Sequence, residues 1–418
     1  GKQVVRIRKW ADKTQTGDRD ELDPGVEEAA WRSVSMPARD CVGAARCPYG
    51  QECFAEASRV RAREADIVVT NHSLLAVDML AERHIIPPHK LLVVDEAHEL
   101  AERVSSASQA ELTPEAVERA GRRARTLIPQ VIPQAAAESL AEAADALTVG
   151  LADVPAGRLT DGLPAALRQA VTLLESATRA GLTGIGDIKS DDPDPVRKQQ
   201  AKAVLDELSS TAQRLLEEDD FDVAWVEKSE IGAGRRALVV APLSVAGTLK
   251  QALYEDRTVV AASATLTLGG RFDTVARSLG LPVAGAEAAS GDGWTSLDVG
   301  SPFDYPKQGI LYVASHLPRP AASGLPDAAG AELLRLGLGG RTLGLFSSRK
   351  AATQAAELLR AKTDLPILLQ GEETLPILVR KFREEKSSCL FGVMSLWQGV
   401  DVPGDSCQLV VIDRLPFP

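Results

Sequence analysis

One stretch constrains this chain more than any other: the aliphatic run Leu91-Leu92-Val93-Val94, which ends on the adjacent carboxylates Asp95 and Glu96 and continues into Ala97-His98. The run is too short for a helix and does not alternate with polar residues. It therefore predicts a strand over Lys90–Asp95 of the kind found inside parallel sheets. Carboxylates placed just past the C-terminal end of such a strand lie where open α/β sheets bind their ligands. Similar short runs at Asp66–Thr70, Arg236–Val240, Thr258–Ala262, Thr342–Phe346, Pro366–Leu369, Cys389–Val393 and Leu409–Ile412 predict further strands. The helical segment Arg349–Asp364 lies among them, and the fold class expected is α/β with two parallel-sheet units.

Between Glu99 and Asp220 the strand signals vanish and the chain becomes Ala-rich and helix-patterned. Thr113 followed by Pro114 reads as an N-cap with proline at the first helical position. The segment is expected to be a helical insertion, and a Gly/Ala/Ser-rich linker at 284–294 separates the two α/β units. The 47 basic and 58 acidic residues leave a net charge of −11, which weighs mildly against a general nucleic-acid binder. Local basic clusters nevertheless occur at Lys2, Arg6, Arg8 and Lys9, at Arg59, Arg61 and Arg63, and at Arg119, Arg122, Arg123 and Arg125. No apolar stretch approaches the roughly 20 residues that span a bilayer, and the charged N-terminus carries no signal-peptide core. A cytoplasmic protein without a membrane partner is the expectation.

Four motifs bear chemistry. At the first, a nucleotide hydrolase needs one carboxylate to hold Mg²⁺ through its water shell and another to orient or deprotonate the attacking water. Asp95 suits the first role and Glu96 the second, with His98 placed to sense the nucleotide. The second motif is Ser263-Ala264-Thr265, small hydroxyl residues just past the strand at 258–262, able to hydrogen-bond the acidic motif. The third is Cys41, Cys47 and Cys53 at even spacing in polar surroundings, which points to metal. Zinc ordinarily wants a tighter Cys pair than this, and an iron–sulphur cluster wants a fourth thiolate. Cys389 and Cys407 sit in apolar runs and read as small buried hydrophobes. The fourth motif is Leu396–Gly404 (LWQGVDVPG), where Gln398, Gly399 and Asp401 can approach nucleotide or DNA.

Cysteine cluster, TNHSLL (70–75), DEAH, helical insertion, SAT and WQGVDVPG occur in an order that closely resembles the DinG/XPD-type superfamily 2 helicases. TGDRDEL (16–22) and SPFDY (301–305) are similar to stretches of the same proteins. The resemblance implies two RecA-like motor domains, both incomplete here, interrupted by an iron–sulphur insertion and a helical arch. Its boundaries would be 1–65 for the cluster domain, 66–105 and 221–285 for motor domain 1, 106–220 for the arch and 286–418 for motor domain 2. It implies ATP, Mg²⁺ and a 4Fe–4S cluster held by Cys41, Cys47 and Cys53 with one ligand before residue 1. It assigns Asp95 and Glu96 to Mg²⁺ and water, and His98, Ser263, Ala264 and Thr265 to coupling. Gln398, Gly399 and Asp401 fall to the nucleotide and DNA face of motor domain 2. The substrate implied is single-stranded, forked or R-loop DNA, tracked 5′ to 3′ by a monomer.

The chain departs from that pattern in two places. It contains no Gly-x4-Gly-Lys-Ser/Thr phosphate loop, and the family's arginine-finger motif would follow Pro418. The expectation is an internal piece of a helicase, unable to hydrolyse ATP or unwind DNA on its own. The competing readings are a non-catalytic nucleic-acid-binding scaffold, the helicase-like body of an exonuclease, and a zinc-stapled ATPase.

Overall fold

The computed structural model describes residues 1–414 apart from 37–40, 42, 45–46, 48, 82–84, 128–133, 189–191, 193, 229–233, 283–292, 319–323, 338, 394–395 and 397–399. Its helices in chain order are α1 (Lys2–Ala11), α2 (Glu28–Arg32), α3 (Phe54–Glu64), α4 (His72–Leu80), α5 (Leu100–Ala107), α6 (Pro114–Leu127), α7 (Gln134–Ala152) and α8 (Ala165–Ile185). They continue with α9 (Pro195–Glu217), α10 (Ala246–Tyr254), α11 (Asp273–Ser278), α12 (Tyr305–Gln308), α13 (Asp327–Gly337), α14 (Arg349–Lys362) and α15 (Leu375–Glu384). The strands are β1 (Leu91–Val94), β2 (Ala110–Leu112), β3 (Gly157–Arg158), β4 (Asp222–Lys228) and β5 (Arg236–Pro242). After them come β6 (Thr258–Ala261), β7 (Thr342–Leu345), β8 (Ile367–Leu369), β9 (Cys389–Gly392) and β10 (Leu409–Ile412). Two compact units result, residues 37–299 and residues 1–36 with 300–418. The segment 1–65 spans both. No helix among the described residues is long and apolar enough to cross a membrane.

In the 37–299 unit, β1 and β6 pair in parallel, with Leu91 opposite Thr258 and Val94 opposite Ala261. Val94 enters a core with Leu75, Ala76 and Met79 of α4, Ala97, Leu100, Val104 and Leu249. The alternate residues Leu91 and Val93 stay 60% and 61% exposed, so this sheet is covered on one face only. The strand expected at Asp66–Thr70 does not form. Ile67 and Val69 are 82% and 91% exposed, and among the described residues the segment pairs with no strand. A β-branched run alone has no ladder partner and no apolar neighbour to hold it extended.

The helical insertion packs α6, α7, α8 and α9 around one core. On α8 the buried positions Leu167, Ala170, Val171, Leu174, Ala177, Thr178, Gly181 and Ile185 recur every three or four residues, the spacing that keeps one helix face toward the core. Thr113 caps α6 as expected, its Oγ1 accepting from Ala116 N at 3.2 Å. The strand expected at Arg236–Val240 is present, but β5 joins the antiparallel sheet β2-β5-β4-β3 and not the parallel one. Val226, Leu238 and Val240 complete the helical core. An apolar run long enough to be buried fits either kind of sheet, and here the nearby β4 supplies the partner.

The other unit holds a parallel sheet of order β10-β7-β9-β8. Strand alternation sends Cys389 and Phe391 to the face packed with α13 and α14, and Leu343, Leu345 and Leu390 to the face packed with α15. Four alanines, Ala351, Ala352, Ala355 and Ala356, let α14 lie close to the sheet. Cys389 is fully buried and Cys407 half-buried, and burial pushes both thiols above their ordinary pKa. Ile7, Leu22 and Val26 form a small core of their own beside an edge-on Trp10–Trp31 pair.

Candidate functional site

The parallel register of β1 and β6 brings two distant motifs out of the sheet side by side. Ala262 N donates to Val94 O at 2.8 Å, and Ala97 N donates back to Ala262 O at 3.0 Å. The two strand ends are thus laced beyond the sheet, with Asp95-Glu96 on one side of the seam and Ser263-Ala264-Thr265 on the other. Ser263 Oγ donates to Glu96 Oε2 at 3.0 Å. A serine hydroxyl has one hydrogen, so the 2.7 Å contact with His98 Nδ1 must be a ring N–H donating to Ser263 Oγ. Thr265 N adds a weaker contact to the same oxygen at 3.3 Å. Asp95, Glu96, Ala264 and Thr265 are exposed, whereas Ala97 is fully buried beneath them.

Glu96 occupies the left-handed region at φ 47°, ψ 44°, a conformation that costs a non-glycine residue roughly 1–2 kcal/mol. The bonds around it are of matching size, at about 0.5–1.5 kcal/mol each. Glu96 N donates to Asp95 Oδ1 at 3.0 Å, and the Ala97 N bond fixes the following peptide. The Asp95 carbonyl takes a third bond from outside the turn, 2.8 Å from His72 Nε2. The sequence carries no signal that assigns His72 a role, although His72 lies within TNHSLL. The only local signal is Asn71, which caps α4 by accepting from Leu74 N at 2.8 Å and so places His72 at the first helical position. Nothing in the spacing tells that this histidine meets a carbonyl 23 residues away.

A carboxylate oxygen exposed at the sheet edge is the hard donor that Mg²⁺ takes while keeping most of its waters. Asp95 fits that requirement. The cysteines fit theirs less well. Cys41, Cys47 and Cys53 are unpaired and half-buried, on a loop folded by Cys47 N to Gly43 O at 3.1 Å and Gly50 N to Cys47 O at 3.0 Å. A Cβ at Gly50 would meet Ala44 O at 2.3 Å, so only glycine permits that fold. Among the described residues, however, no three His, Cys, Asp or Glu side chains gather so as to hold a metal ion.

Of the motif in the other unit, Gln398 and Gly399 lie outside the described residues. Asp401 is exposed, and its carbonyl accepts from Arg383 Nη2 at 2.8 Å. Leu396, Val400 and Val402 tether the segment to the core under α15. At its entry, Gln370 Oε1 accepts from Val393 N at 2.7 Å, linking the ends of β8 and β9.

Comparison with known proteins finds helicases. The model of the helicase C-terminal domain matches residues 334–418. The ATP-dependent helicase DinG of Mycobacterium tuberculosis (strain ATCC 25618 / H37Rv) is 45% identical over 429 residues, covering 100% of this chain and 62% of the relative. The ATP-dependent DNA helicase YoaA of Escherichia coli (strain K12) is 28% identical over 428 residues, with 99% and 65% covered. A solved XPD helicase aligns with a TM-score of 0.47 at 12% identity over 87% of this chain and 62% of that one. The chain spans less than two thirds of the length of these relatives. The similarity to DinG runs along the entire chain, through the acidic turn and the segment that faces it, and the match to the helicase C-terminal domain covers its last part.

Proposed function

We propose that the protein carrying this chain is an ATP-dependent DNA helicase that couples nucleotide hydrolysis to 5′-to-3′ movement on single-stranded DNA. The observation that carries the reading is the hydrogen-bonded set Glu96, Ser263 and His98 at the C-terminal ends of two parallel strands. In this reading Asp95 holds Mg²⁺ through water, and the ion when bound supplies positive charge to the phosphate oxygens. Glu96 orients the attacking water and accepts its proton. Ser263 donates to the ionised form of Glu96 and receives the His98 N–H, so a change at Glu96 is felt on β6 as well as β1. Ala264, Thr265, Gln398, Gly399 and Asp401 belong to the coupling and DNA-facing surfaces. Cys41, Cys47 and Cys53 supply three ligands of a 4Fe–4S cluster whose fourth comes from elsewhere. Single-stranded, forked or R-loop DNA is the substrate, the working form a monomer, and the compartment the cytoplasm.

The test is ATP hydrolysis by the full-length protein, purified without oxygen, measured with and without single-stranded DNA alongside an iron count. Hydrolysis stimulated by DNA supports the reading. An intact, iron-loaded protein that hydrolyses nothing would replace it with a nucleic-acid-binding scaffold.

A further inference from the structure

We infer that His72 is a positioning residue that holds the Asp95–Glu96 peptide plane and thereby aims the Glu96 carboxylate. The inference rests on the hydrolytic reading of Glu96 and adds to it a residue from a separate helix. A backbone carbonyl only accepts, so the 2.8 Å contact requires His72 to carry its proton on Nε2. The same peptide is gripped at its other end, where Glu96 N donates to Asp95 Oδ1. The next peptide is gripped by Ala97 N to Ala262 O. Glu96 therefore sits between two clamped planes, and those planes define the left-handed φ and ψ it adopts. Of the three bonds, the His72 bond alone comes from outside the two strand ends.

The base of the clamp is firm. Leu75, Ala76 and Met79 of α4 pack in the same core as Val94, Ala97 and Leu100. Asp78, 1% exposed, accepts from Ile85 N and Ile86 N at 2.7 and 2.8 Å and anchors the far end of the helix. Release of the His72 bond frees the carbonyl to rotate and lets Glu96 leave the left-handed region, which turns its side chain away from Ser263. The effect falls on the chemical step and not on nucleotide binding, because neither His72 nor the Asp95 carbonyl is assigned to the nucleotide.

The experiment compares His72→Gln with His72→Met in the full-length protein. Both side chains have the same length, so loss of the ring is common to them, and only Gln donates an N–H. Two readouts are taken: kcat and KM for ATP, and amide hydrogen exchange across residues 91–99. The expected result is a kcat for His72→Met lower by on the order of 10- to 10²-fold, with little change in KM and faster exchange at residues 96–98. His72→Gln is expected to stay near the unsubstituted protein in both. Equal kcat and equal exchange in the two variants overturn the inference. An unsubstituted protein without ATPase activity sinks the hydrolytic reading instead, and the exchange comparison still decides whether His72 clamps the turn.

Discussion

Ser263 donates its hydroxyl to the Glu96 carboxylate at 3.0 Å although 167 positions separate the two in sequence. The bond crosses from one parallel strand end to the other. In the proposed function it lets the chain beyond β6 register the charge on Glu96. His98, donating to the same hydroxyl, closes the set.

Substitution Ser263→Ala removes the hydrogen that Glu96 receives from the segment just past β6. It leaves Asp95, Glu96 and the His72 contact in place. Hydrolysis without DNA is expected to change by less than about tenfold, since one exposed hydrogen bond is worth roughly 0.5–1.5 kcal/mol. Stimulation by single-stranded DNA is expected to fall further. The ratio of the two rates measures the coupling, and an unchanged ratio assigns Ser263 a local role only.

Glu96→Gln keeps the shape of the side chain and removes its basicity. A positioned general base contributes about 10²- to 10⁴-fold, so hydrolysis by the full-length protein should drop by that order. Binding of a fluorescent ATP analogue should persist. A variant that loses binding and hydrolysis together would point to a disrupted turn.

For the cysteine loop, single Cys41→Ser, Cys47→Ser and Cys53→Ser variants of the full-length protein should each lose iron and visible absorbance. Three equal losses mark three ligands of one cluster. Full iron in any one variant removes that cysteine from the set, and zinc in place of iron assigns the loop to a different metal.

Gly344 lies on β7 beneath the aromatic pair Phe346–Phe391. A Cβ there would meet Phe391 Cδ1 at 2.5 Å and Phe346 Cε2 at 2.9 Å. Gly344→Ala overpacks a fully buried contact and should destabilise this unit by about 1–3 kcal/mol. Denaturant unfolding followed by fluorescence measures it, and a neutral result would mean that the rings can move aside.

Glu218 ties the end of α9 to the start of α8. It accepts from Arg168 Nη2 and, at 2.6 Å, from Leu163 N. The Arg168 guanidinium first, and then the Leu163 amide, hold its carboxyl below the ordinary value of 4.5. A folded-state pKa below the unfolded one means that the stabilisation is complete above about 4.5 and is lost as pH falls through the lower value. The thermal midpoint of the helical insertion should therefore drop over that acid window. Glu218→Gln should lower the midpoint at neutral pH and flatten this part of the acid dependence. An identical pH profile in the variant would show that Glu218 carries none of it.

Much of the acidic site was legible in the sequence, because it depends on short-range signals. An aliphatic run stopping at Asp95 and another stopping before Ser263 predict two parallel strand ends, and parallel strands open at the same edge. Hydrogen bonding between the two motifs then follows from register. Other features depend on which partner a strand finds. Asp66–Thr70 has the texture of a strand and no neighbour, while Arg236–Val240 pairs with β4 in an antiparallel sheet. His72 was illegible for a different reason, since a single side-chain bond across 23 residues leaves no periodic trace. Nor does the even spacing of three cysteines decide whether their sulphurs converge.

The pairing of Ala110 with Val240 has one more consequence. The chain enters the helical insertion on β2 and leaves it on β5, so entry and exit lie side by side. An appendage mounted in this way can be lengthened, trimmed or exchanged for another without disturbing the register of β1 against β6. Under the proposed function, what the insertion contacts and how the β1–β6 edge handles nucleotide can thus diversify independently over evolutionary time, and a designer could graft a different module at the same two strands.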